Sequence, residues 1–269
     1  MRYLKITAKK LKSTLKGESL MNLEEIIKKE KIYLMLFSNA YPFFDEVVYR
    51  DHLQRDKYVH NLLHVSQQPF NQTVYEAYVK EEKEMKRAIV RVEESSFSKA
   101  CDDLLGEVSS YGYYHLTMGA FKQTKINEDC LLLPVSTSND AFFSYMQQGS
   151  LPYGKSYALG NVDRQKQVLT AHSELYKYYQ LTQDGNFIGQ INVFITGDCA
   201  KIDDFEIIES KRNQGYGKTL LTLLFDRLAN IGIKDIYLIA DEEDTPKHFY
   251  EAYGFIKKGE FKQAVYKED

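Results

Sequence analysis

Cysteine is scarce in this sequence, and the positions of the few that occur exclude two kinds of site. The chain of 269 residues has three cysteines, Cys101, Cys130 and Cys199, which stand far apart. Cysteine-based metal sites and redox pairs use short, regular spacings, and none is present. Isolated cysteines suit a reducing compartment. We therefore predict a cytoplasmic protein without a cysteine metal centre or redox centre.

Long apolar runs and an excess of positive charge are also missing. No segment approaches the roughly 18–20 continuous apolar residues that a membrane helix requires, and the lysine-rich N-terminus precedes no apolar stretch of signal-peptide length. The formal net charge is −3, with Lys and Arg scattered among Asp and Glu. We therefore predict neither a membrane partner nor a nucleic-acid partner. The apolar content of 43% supports a well-buried core in one large domain or two ordinary ones.

The run from Arg212 to Lys218, Arg-Asn-Gln-Gly-Tyr-Gly-Lys, carries the strongest functional signal in the chain. Residues 200–208 before it are rich in β-favouring apolar side chains, and apolar residues recur at helical spacing over residues 216–231 after it. Gly215 and Gly217 at such a strand-to-helix turn let backbone N–H groups converge on a ligand. The helix N-terminus adds partial positive charge, so the pattern favours a phosphate or pyrophosphate.

This Arg/Gln-x-x-Gly-x-Gly/Ala spacing resembles the acetyl-CoA motif of the GCN5-related N-acetyltransferase (GNAT) superfamily. A second segment is similar to the end of a GNAT domain, where a helix carrying Phe-Tyr-Glu-x-x-Gly-Phe leads into a strand. Here those residues are Phe249 to Phe255, with Pro246 in the first turn of the predicted helix. The family's usual Asn near the start of this helix is absent, and Glu243 stands in its place.

The resemblance implies an α/β (α+β) fold with a mixed, mostly antiparallel sheet, flanked by helices and splayed between its two central strands. The usual size of such a domain places the GNAT domain at residues 127–269. The Asp184-Gly185 pair between two apolar runs predicts a hairpin within it. We interpret residues 149–160, which include Pro152, as an irregular loop on the substrate side.

Residues 1–126 are predicted to form a second, degenerate GNAT-like domain. Helix-like, strand-like and helix-like patterns at residues 74–84, 88–92 and from Ser96 repeat the order of elements in the C-terminal half. The segments 111–123 and 253–263 also share a Tyr-Gly-aromatic run followed by Gly-x-Phe-Lys-Gln.

The first half lacks the glycine loop of the second. No glycine occurs between Gly17 and Gly106, and Pro69, just before the predicted helix, offers no N–H group. We therefore expect this half not to bind CoA by the motif, but to complete the substrate cleft or to stiffen the pair.

The resemblance assigns the binding of acetyl-CoA, the acyl donor, to one continuous part of the chain. The pyrophosphate would lie on the N–H groups of residues 214–218, and a backbone donor near Ile207 would bond the acetyl carbonyl and stabilise the developing oxyanion. The predicted binding residues are Ile207, Ile208, Arg212, Gln214, Gly215, Tyr216, Gly217 and Lys218. Tyr250 matches the tyrosine that often protonates the departing thiolate.

A primary amine has to lose a proton before it can attack, because its pKa lies near 10. Glu206 and Asp204 are the candidate bases, since residues two apart share one face of a strand. Asp203 would point the other way unless a bulge reverses the parity. Removal of the proton through water would need no unique base, and the acceptor, a small-molecule amine or a peptide, stays open, as does the oligomeric state.

Two other functions are alternatives to this one. Gly217-Lys218-Thr219 matches the end of a P-loop, but the first glycine of that motif would fall on Arg212, and only about 50 residues follow Thr219. A non-catalytic module that binds or senses CoA would keep the same loop without turnover.

Two histidines in the first half are candidate metal ligands. His60 and His64 would form a pair of metal ligands if their segment were helical, but no third ligand is evident. We expect no metal.

Overall fold

The computed structural model describes residues 21–267, apart from 83–86, 100, 102–104, 106–107, 122–123 and 245. These residues form one sheet of eleven strands flanked by helices. The helices are α1 (Leu23–Leu34), α2 (Gln72–Glu81), α3 (Asp140–Ser150), α4 (Lys155–Ala171), α5 (Tyr216–Asn230) and α6 (Pro246–Ala252). The strands are β1 (Asn39–Phe43), β2 (Glu46–Arg50), β3 (Leu62–Val65), β4 (Arg87–Glu93), β5 (Val108–Thr117), β6 (Cys130–Pro134), β7 (Tyr176–Gln183), β8 (Asn186–Thr196), β9 (Cys199–Ile207), β10 (Asp235–Asp241) and β11 (Ile256–Lys267). Among the helices described, none combines the length and hydrophobicity that a membrane crossing requires.

The sheet repeats one pairing pattern in the two halves of the chain. In the first half, β1, β2 and β3 are antiparallel neighbours, and β3 pairs in parallel with β4 after the crossover through α2. In the second half, β7, β8 and β9 are antiparallel, and β9 pairs in parallel with β10 after the crossover through α5. The predicted mixed, mostly antiparallel sheet is therefore confirmed, and its element order is that of a repeat.

The last strands of the two halves are exchanged. The sheet order is β1-β2-β3-β4-β11-β5-β10-β9-β8-β7-β6. Strand β5 of the first half pairs with β10, strand β11 of the second half pairs with β4, and β5 and β11 pair with each other at the centre. A division at 126/127 therefore does not separate two independent sheets, although the ranges 1–126 and 127–269 stay our prediction for the two domains.

The short sequence repeat does not fall at equivalent positions. Tyr111-Gly112 lies inside β5, whereas Tyr253-Gly254 follows α6, where Gly254 has a φ of +101°. Lys122 and Gln123, which complete the motif in the first half, lie outside the described residues. The repeat therefore consists of strand order and strand pairing. The alignment of segment 111–123 with segment 253–263 was wrong.

Local predictions in the second half hold with one exception. The Asp184-Gly185 hairpin is present, with φ values of +50° and +77° as a tight turn between strands requires. Residues 149–160, predicted as a loop, instead contain the end of α3 and the start of α4. The helical period of α4 was hidden because polar Asn161 and Gln165 occupy buried positions. In the first half, part of the helix predicted from Ser96 lies outside the described residues.

The core of the second half lies under α5. This helix buries one face against the sheet, and the side chains of that face are fully buried: Leu220, Leu221, Leu224, Phe225 and Leu228. The strong packing of this face fixes the N-terminus of α5 against the end of β9, where the candidate site lies.

Candidate active site

Strands β9 and β10 separate towards their C-terminal ends. Their parallel pairing includes three residue pairs and stops at Lys201 opposite Tyr237, after which β10 continues to pair only with β5. The N–H of Ile208 bonds the carbonyl of Ile188 on β8 at 3.0 Å. Because backbone groups alternate between the two edges of a strand, the N–H of Ile207 points away from β8, into the opening. The expected splay is therefore present, and the donor role of Ile207 stays a prediction.

A β-bulge interrupts β9 beside this opening. Asp203 pairs with Asn192 and Glu206 with Gln190, so Asp204 and Phe205 together oppose one residue of β8. Asp204 takes a φ of +44°, which is unusual for a residue with a side chain. The bulge changes the simple alternation of the strand, so that Asp204 and Glu206 line one cavity while Asp203 and Asp204 line a second.

The N-terminus of α5 has no side-chain cap. Gly215 occupies the N-cap position with a φ of +85°, a conformation that favours glycine. The N–H of Thr219 makes the first intrahelical bond, to the carbonyl of Gly215 at 3.0 Å. The N–H groups of residues 216–218 therefore lie in the first turn, where a helix has no internal partner to offer them. This is the arrangement that the phosphate-binding prediction requires.

The other residues of the loop hold it in shape. Arg212 Nε donates to the carbonyl of Ile207 at 2.9 Å, and Gln214 Nε2 donates to the carbonyl of Ser210 at 2.9 Å. The side chain of Tyr216 is buried, and its hydroxyl bonds Gln183 at 2.6 Å. Of the predicted binding residues, Tyr216 can therefore offer a ligand only its backbone.

Two predicted binding residues have roles beyond those assigned to them. Both backbone groups of Ile208 are already bonded, its N–H to Ile188 and its carbonyl to the N–H of Lys211. A Cβ on Gly217 would lie 3.3 Å from Phe205 and 3.4 Å from Phe249, so this glycine also permits the aromatic packing below the loop. Lys218 is exposed at the helix start.

Tyr250 lies on α6, packed against the aromatic residues below the loop. Its ring centroid is 6.3 Å from that of Phe205, 5.6 Å from Phe249 and 5.8 Å from Phe255. Burial, with a smaller contribution from the negative charge of Asp203, raises the pKa of the Tyr250 phenol well above its ordinary value. The phenol is thus protonated at neutral pH and able to donate.

A cavity of about 760 Å³ lies on the other side of the bulge. Asp204 and Glu206 face it from β9, and α3 and α4 provide much of its wall. The hydroxyl of Tyr145 donates to Glu206 at 2.9 Å, and the hydroxyl of Tyr178 donates to Asp204. Desolvation by the surrounding protein, together with the charge of Asp203, raises the pKa of the Asp204 carboxyl above its ordinary value.

Asp203 belongs to a separate ionic cluster. Its carboxylate accepts a hydrogen bond from Tyr33 at 3.1 Å and pairs with Lys201 at 3.2 Å. Although burial opposes ionisation, the Lys201 ammonium helps to hold the pKa of Asp203 below its ordinary value. Lys201 in turn pairs with Glu30 of α1 at 2.9 Å, and Arg91 lies 3.3 Å from the same carboxylate. This cluster links side chains of the first half to side chains of the second half. The contacts of Asp203 within it indicate a structural role for this residue.

Several side chains of the cavity escaped the sequence analysis. Asp56, Lys57 and Val59 of the first half line the same cavity as Asp204 and Glu206. No motif marks these residues, because their positions depend on how the two halves pack. The sequence shows that tyrosine is abundant. It does not show which tyrosines reach the carboxylates.

The two histidines considered as metal ligands do not lie on one helix face. His64 lies on β3 rather than on a helix, and it contacts Glu93 at 2.5 Å. His60 contacts Asp51 at 3.3 Å and stacks on Phe37. The i, i+4 geometry was the reason to consider a metal, and it is absent because this segment is not an α-helix. Within the described ranges, no group of three or more metal-ligating side chains is suitably placed.

The loop of the first half that corresponds to the phosphate loop is occupied by the protein itself. It joins β3 to α2, as the loop after β9 joins β9 to α5. The carboxylate of Glu46 accepts hydrogen bonds from the N–H groups of Ser66, Gln67 and Gln68 at 2.8–3.2 Å. Asn71 caps α2 through the N–H of Val74 at 3.1 Å. An internal anion and an internal cap thus fill the place that an external anion would take.

Comparison with known proteins identifies the second half. The sequence model of the Acetyltransferase (GNAT) family matches residues 144–255. Residues 144–255 are a GNAT acetyltransferase domain. This GNAT domain contains the uncapped α5, the splay and Tyr250, and it replaces the P-loop alternative for the same glycines. None of the curated proteins matches the sequence.

Solved structures share the fold over most of the chain. A conserved protein of unknown function from Staphylococcus epidermidis ATCC 12228 is 19% identical, with a TM-score of 0.69, covering 87% of this chain and 96% of its own. A GCN5-related N-acetyltransferase from Kribbella flavida is 13% identical, with a TM-score of 0.62, covering 93% and 97%. A tandem GNAT protein from the clavulanic acid biosynthesis pathway is 10% identical, with a TM-score of 0.53, covering 83% and 74%.

These likenesses extend well beyond the GNAT domain into the first half. Together with the repeated strand pairing, they confirm that the GNAT-like fold extends into the first half. At identities of 10–19%, these structures establish the fold only. The reaction has to be inferred from the residues of the site.

Proposed function

We propose that this protein transfers an acetyl group from acetyl-CoA to a primary amine. A GNAT domain supports acetyl transfer in general. The observation that carries the specific proposal is the opening between β9 and β10. Strand β9 at the edge of this opening carries Asp204, which lines the cavity, and leads on to the uncapped N-terminus of α5.

The residues for donor binding fit a pyrophosphate-containing thioester. The N–H groups at residues 214–218 and the positive end of α5 favour phosphate oxygens, with Lys218 and Arg212 adding charge nearby. The N–H of Ile207 is the donor for the acetyl carbonyl oxygen, and Ile208 fixes the register of that donor. Such a donor stabilises the negative charge that develops on this oxygen during attack.

The residues for proton transfer lie on either side of the opening. Asp204 accepts a proton from the substrate ammonium, directly or through water, and its raised pKa suits a base better than an ordinary carboxylate would. Glu206 is the second candidate base. The amine nitrogen then bonds to the carbonyl carbon, the carbon–sulfur bond breaks with its electron pair on sulfur, and Tyr250 gives its proton to the departing thiolate. The nitrogen, now positively charged, releases its second proton to water, and water returns a proton to Tyr250.

The second candidate function is a module that binds or senses CoA without catalysing a reaction, and it would use the same loop.

The three cysteines are free and buried, and we keep a cytoplasmic location as a prediction on that ground.

The test is a thermal-shift comparison of acetyl-CoA, longer acyl-CoAs and ATP, followed by an amine screen with the ligand that stabilises most. We expect acetyl-CoA to stabilise the protein and at least one primary amine to be acetylated. Asp204→Asn should keep the thermal shift and lose most of the turnover. Saturable binding of acetyl-CoA without acetylation of any amine would favour the sensing module, and stabilisation by ATP alone would refute both.

A further inference from the structure

Lys57 of the first half places a half-buried ammonium in the wall of the acceptor cavity. Its Nζ donates to Asn161 Oδ1 at 2.7 Å, and this acceptor is neutral. Two neighbouring carboxylates, Asp51 and Asp203, pair with other cations, Arg164 and Lys201. Desolvation lowers the pKa of Lys57 from its ordinary value, and the negative charges of Asp204, Asp203 and Asp51 oppose this shift.

The position of Lys57 is built into the contact between the two halves. Asp51 accepts hydrogen bonds from the N–H groups of Leu53 and Gln54, which fixes the loop before Lys57. Arg164 of α4 donates to the same Asp51 at 3.0 Å and so joins this loop to the GNAT domain. A lysine held by such a frame loses little further freedom on binding a ligand.

Lys57 and Asp204 face the same space without forming an ion pair. Both line the large cavity and also the smaller cavity behind it. Asp204 is the carboxylate with the largest electrostatic effect on Lys57, and the hydrogen bond that it accepts comes from Tyr178. Among the described residues of the large cavity, Lys57 is the one cation, facing Asp56, Asp204 and Glu206.

We propose that the acceptor is a compact amino-carboxylate, with its carboxylate bound by Lys57 and its amine directed to Asp204. This inference rests on the proposed acetyl transfer, since it names the substrate of the same site. A ligand of this kind supplies the counter-ion that Lys57 lacks. Its two charges match the separated positive and negative groups of the cavity, which fixes the orientation of the amine.

Diamines and polyamines are the principal competitors for an acidic cavity. The carboxylates would attract either kind of molecule. Lys57 favours the amino-carboxylate over the diamine. A second ammonium near Lys57 would be repelled by its like charge in a partly desolvated space, whereas a carboxylate would form a charge-assisted hydrogen bond with it.

The experiment compares matched ligands on the full chain in the presence of CoA. β-Alanine and lysine are each titrated beside their carboxamides, which keep the size and lose the negative charge, and putrescine serves as the dication. We expect each amino-carboxylate to bind more tightly than its carboxamide by about 10- to 100-fold, the range for a hydrogen bond to a charged group. The same order is expected in kcat/KM for acetylation.

Three variants connect this preference to Lys57. Lys57→Met should abolish the preference for the carboxylate over the carboxamide, and Lys57→Arg should restore much of it. Lys234→Met, a surface lysine paired with Asp198, is the matched control and should keep it. The proposal is refuted if putrescine or the carboxamides bind as well as the amino-carboxylates, or if Lys57→Met leaves the ratio unchanged. Carboxylate-selective binding without acetyl transfer would leave the ligand assignment standing and refute the proposed enzyme.

Discussion

The hydroxyl of Tyr178 on β7 donates a hydrogen bond to the carboxylate of Asp204 at the bulge of β9. Tyr178 is fully buried, so the donor is held in place. Its bond favours the ionised form of Asp204 and opposes desolvation and the charge of Asp203, which together raise the pKa. The pair thus sets the proton affinity of the candidate base.

Removing this donor should move the acidic limb of the pH profile. In Tyr178→Phe the ionised form of Asp204 loses a bond, so the pKa of Asp204 rises further. Because a base works only above its pKa, the rise of kcat/KM with pH should shift to higher pH. Tyr179→Phe, the neighbour on the other face of β7, should not shift it. An unmoved acidic limb in Tyr178→Phe would argue that Asp204 is not the base.

Tyr250 separates chemistry from binding. Tyr250→Phe keeps nearly the same volume and removes the proton, so acetyl-CoA affinity and folding should stay close to wild type. We expect kcat to fall by roughly 10- to 1,000-fold, because general acids contribute about 10²–10⁴-fold and water can partly substitute. Tyr253→Phe is the control, since Tyr253 is buried against Phe121 and Phe249. Equal losses at both positions would point to packing.

Charge at the start of α5 should affect binding and stability in opposite directions. Lys218→Glu places a negative charge at the positive end of the helix, which stabilises the helix but repels phosphate. We expect the dissociation constant of acetyl-CoA to rise by about 3- to 30-fold, with a melting temperature equal to or above that of wild type. Lys177→Glu, on β7, should leave the affinity unchanged. Calorimetric titration and thermal unfolding measure the two effects, and unaltered affinity in Lys218→Glu would remove this helix end from the binding site.

Strand exchange makes the second half dependent on β5. A fragment of residues 127–269 loses β5, which pairs with both β10 and β11, and also β4, the other neighbour of β11. It therefore leaves one edge of β10 and both edges of β11 unpaired and should aggregate. A fragment of residues 108–269 keeps β5 and should bind acetyl-CoA when soluble. Size-exclusion chromatography and titration distinguish them. If the shorter fragment were a soluble monomer with full-length affinity, the exchange would be dispensable for the site.

Glu46 should contribute to stability and have no part in donor binding. Glu46→Gln weakens three backbone hydrogen bonds to a buried carboxylate, and we expect a loss of about 1–3 kcal/mol in the free energy of unfolding. Asp45→Asn, its exposed neighbour, should cost little. Acetyl-CoA affinity should be the same in both variants. A selective loss of affinity in Glu46→Gln would mean that the first half takes part in binding.

Sequence alone determined the features that depend on neighbouring residues. The loop from Arg212 to Lys218, the hairpin at Asp184-Gly185 and the helix that follows Gly215 rest on turn chemistry and on helical spacing, which act within a few residues. For the same reason the family resemblance and the candidate binding segment were recognisable, as was the position of Tyr250 on its helix.

Only the tertiary structure decided which strand pairs with which, and what enters the cavity. Either half's last strand satisfies the same backbone hydrogen bonds, so local pattern cannot tell β5 beside β10 from β11 beside β10. The bulge at Asp204 depends on pairing with β8, and Lys57 reaches the cavity through contacts with α4. These features arise between residues far apart in the chain, where periodicity carries no information and packing of the two halves selects the outcome.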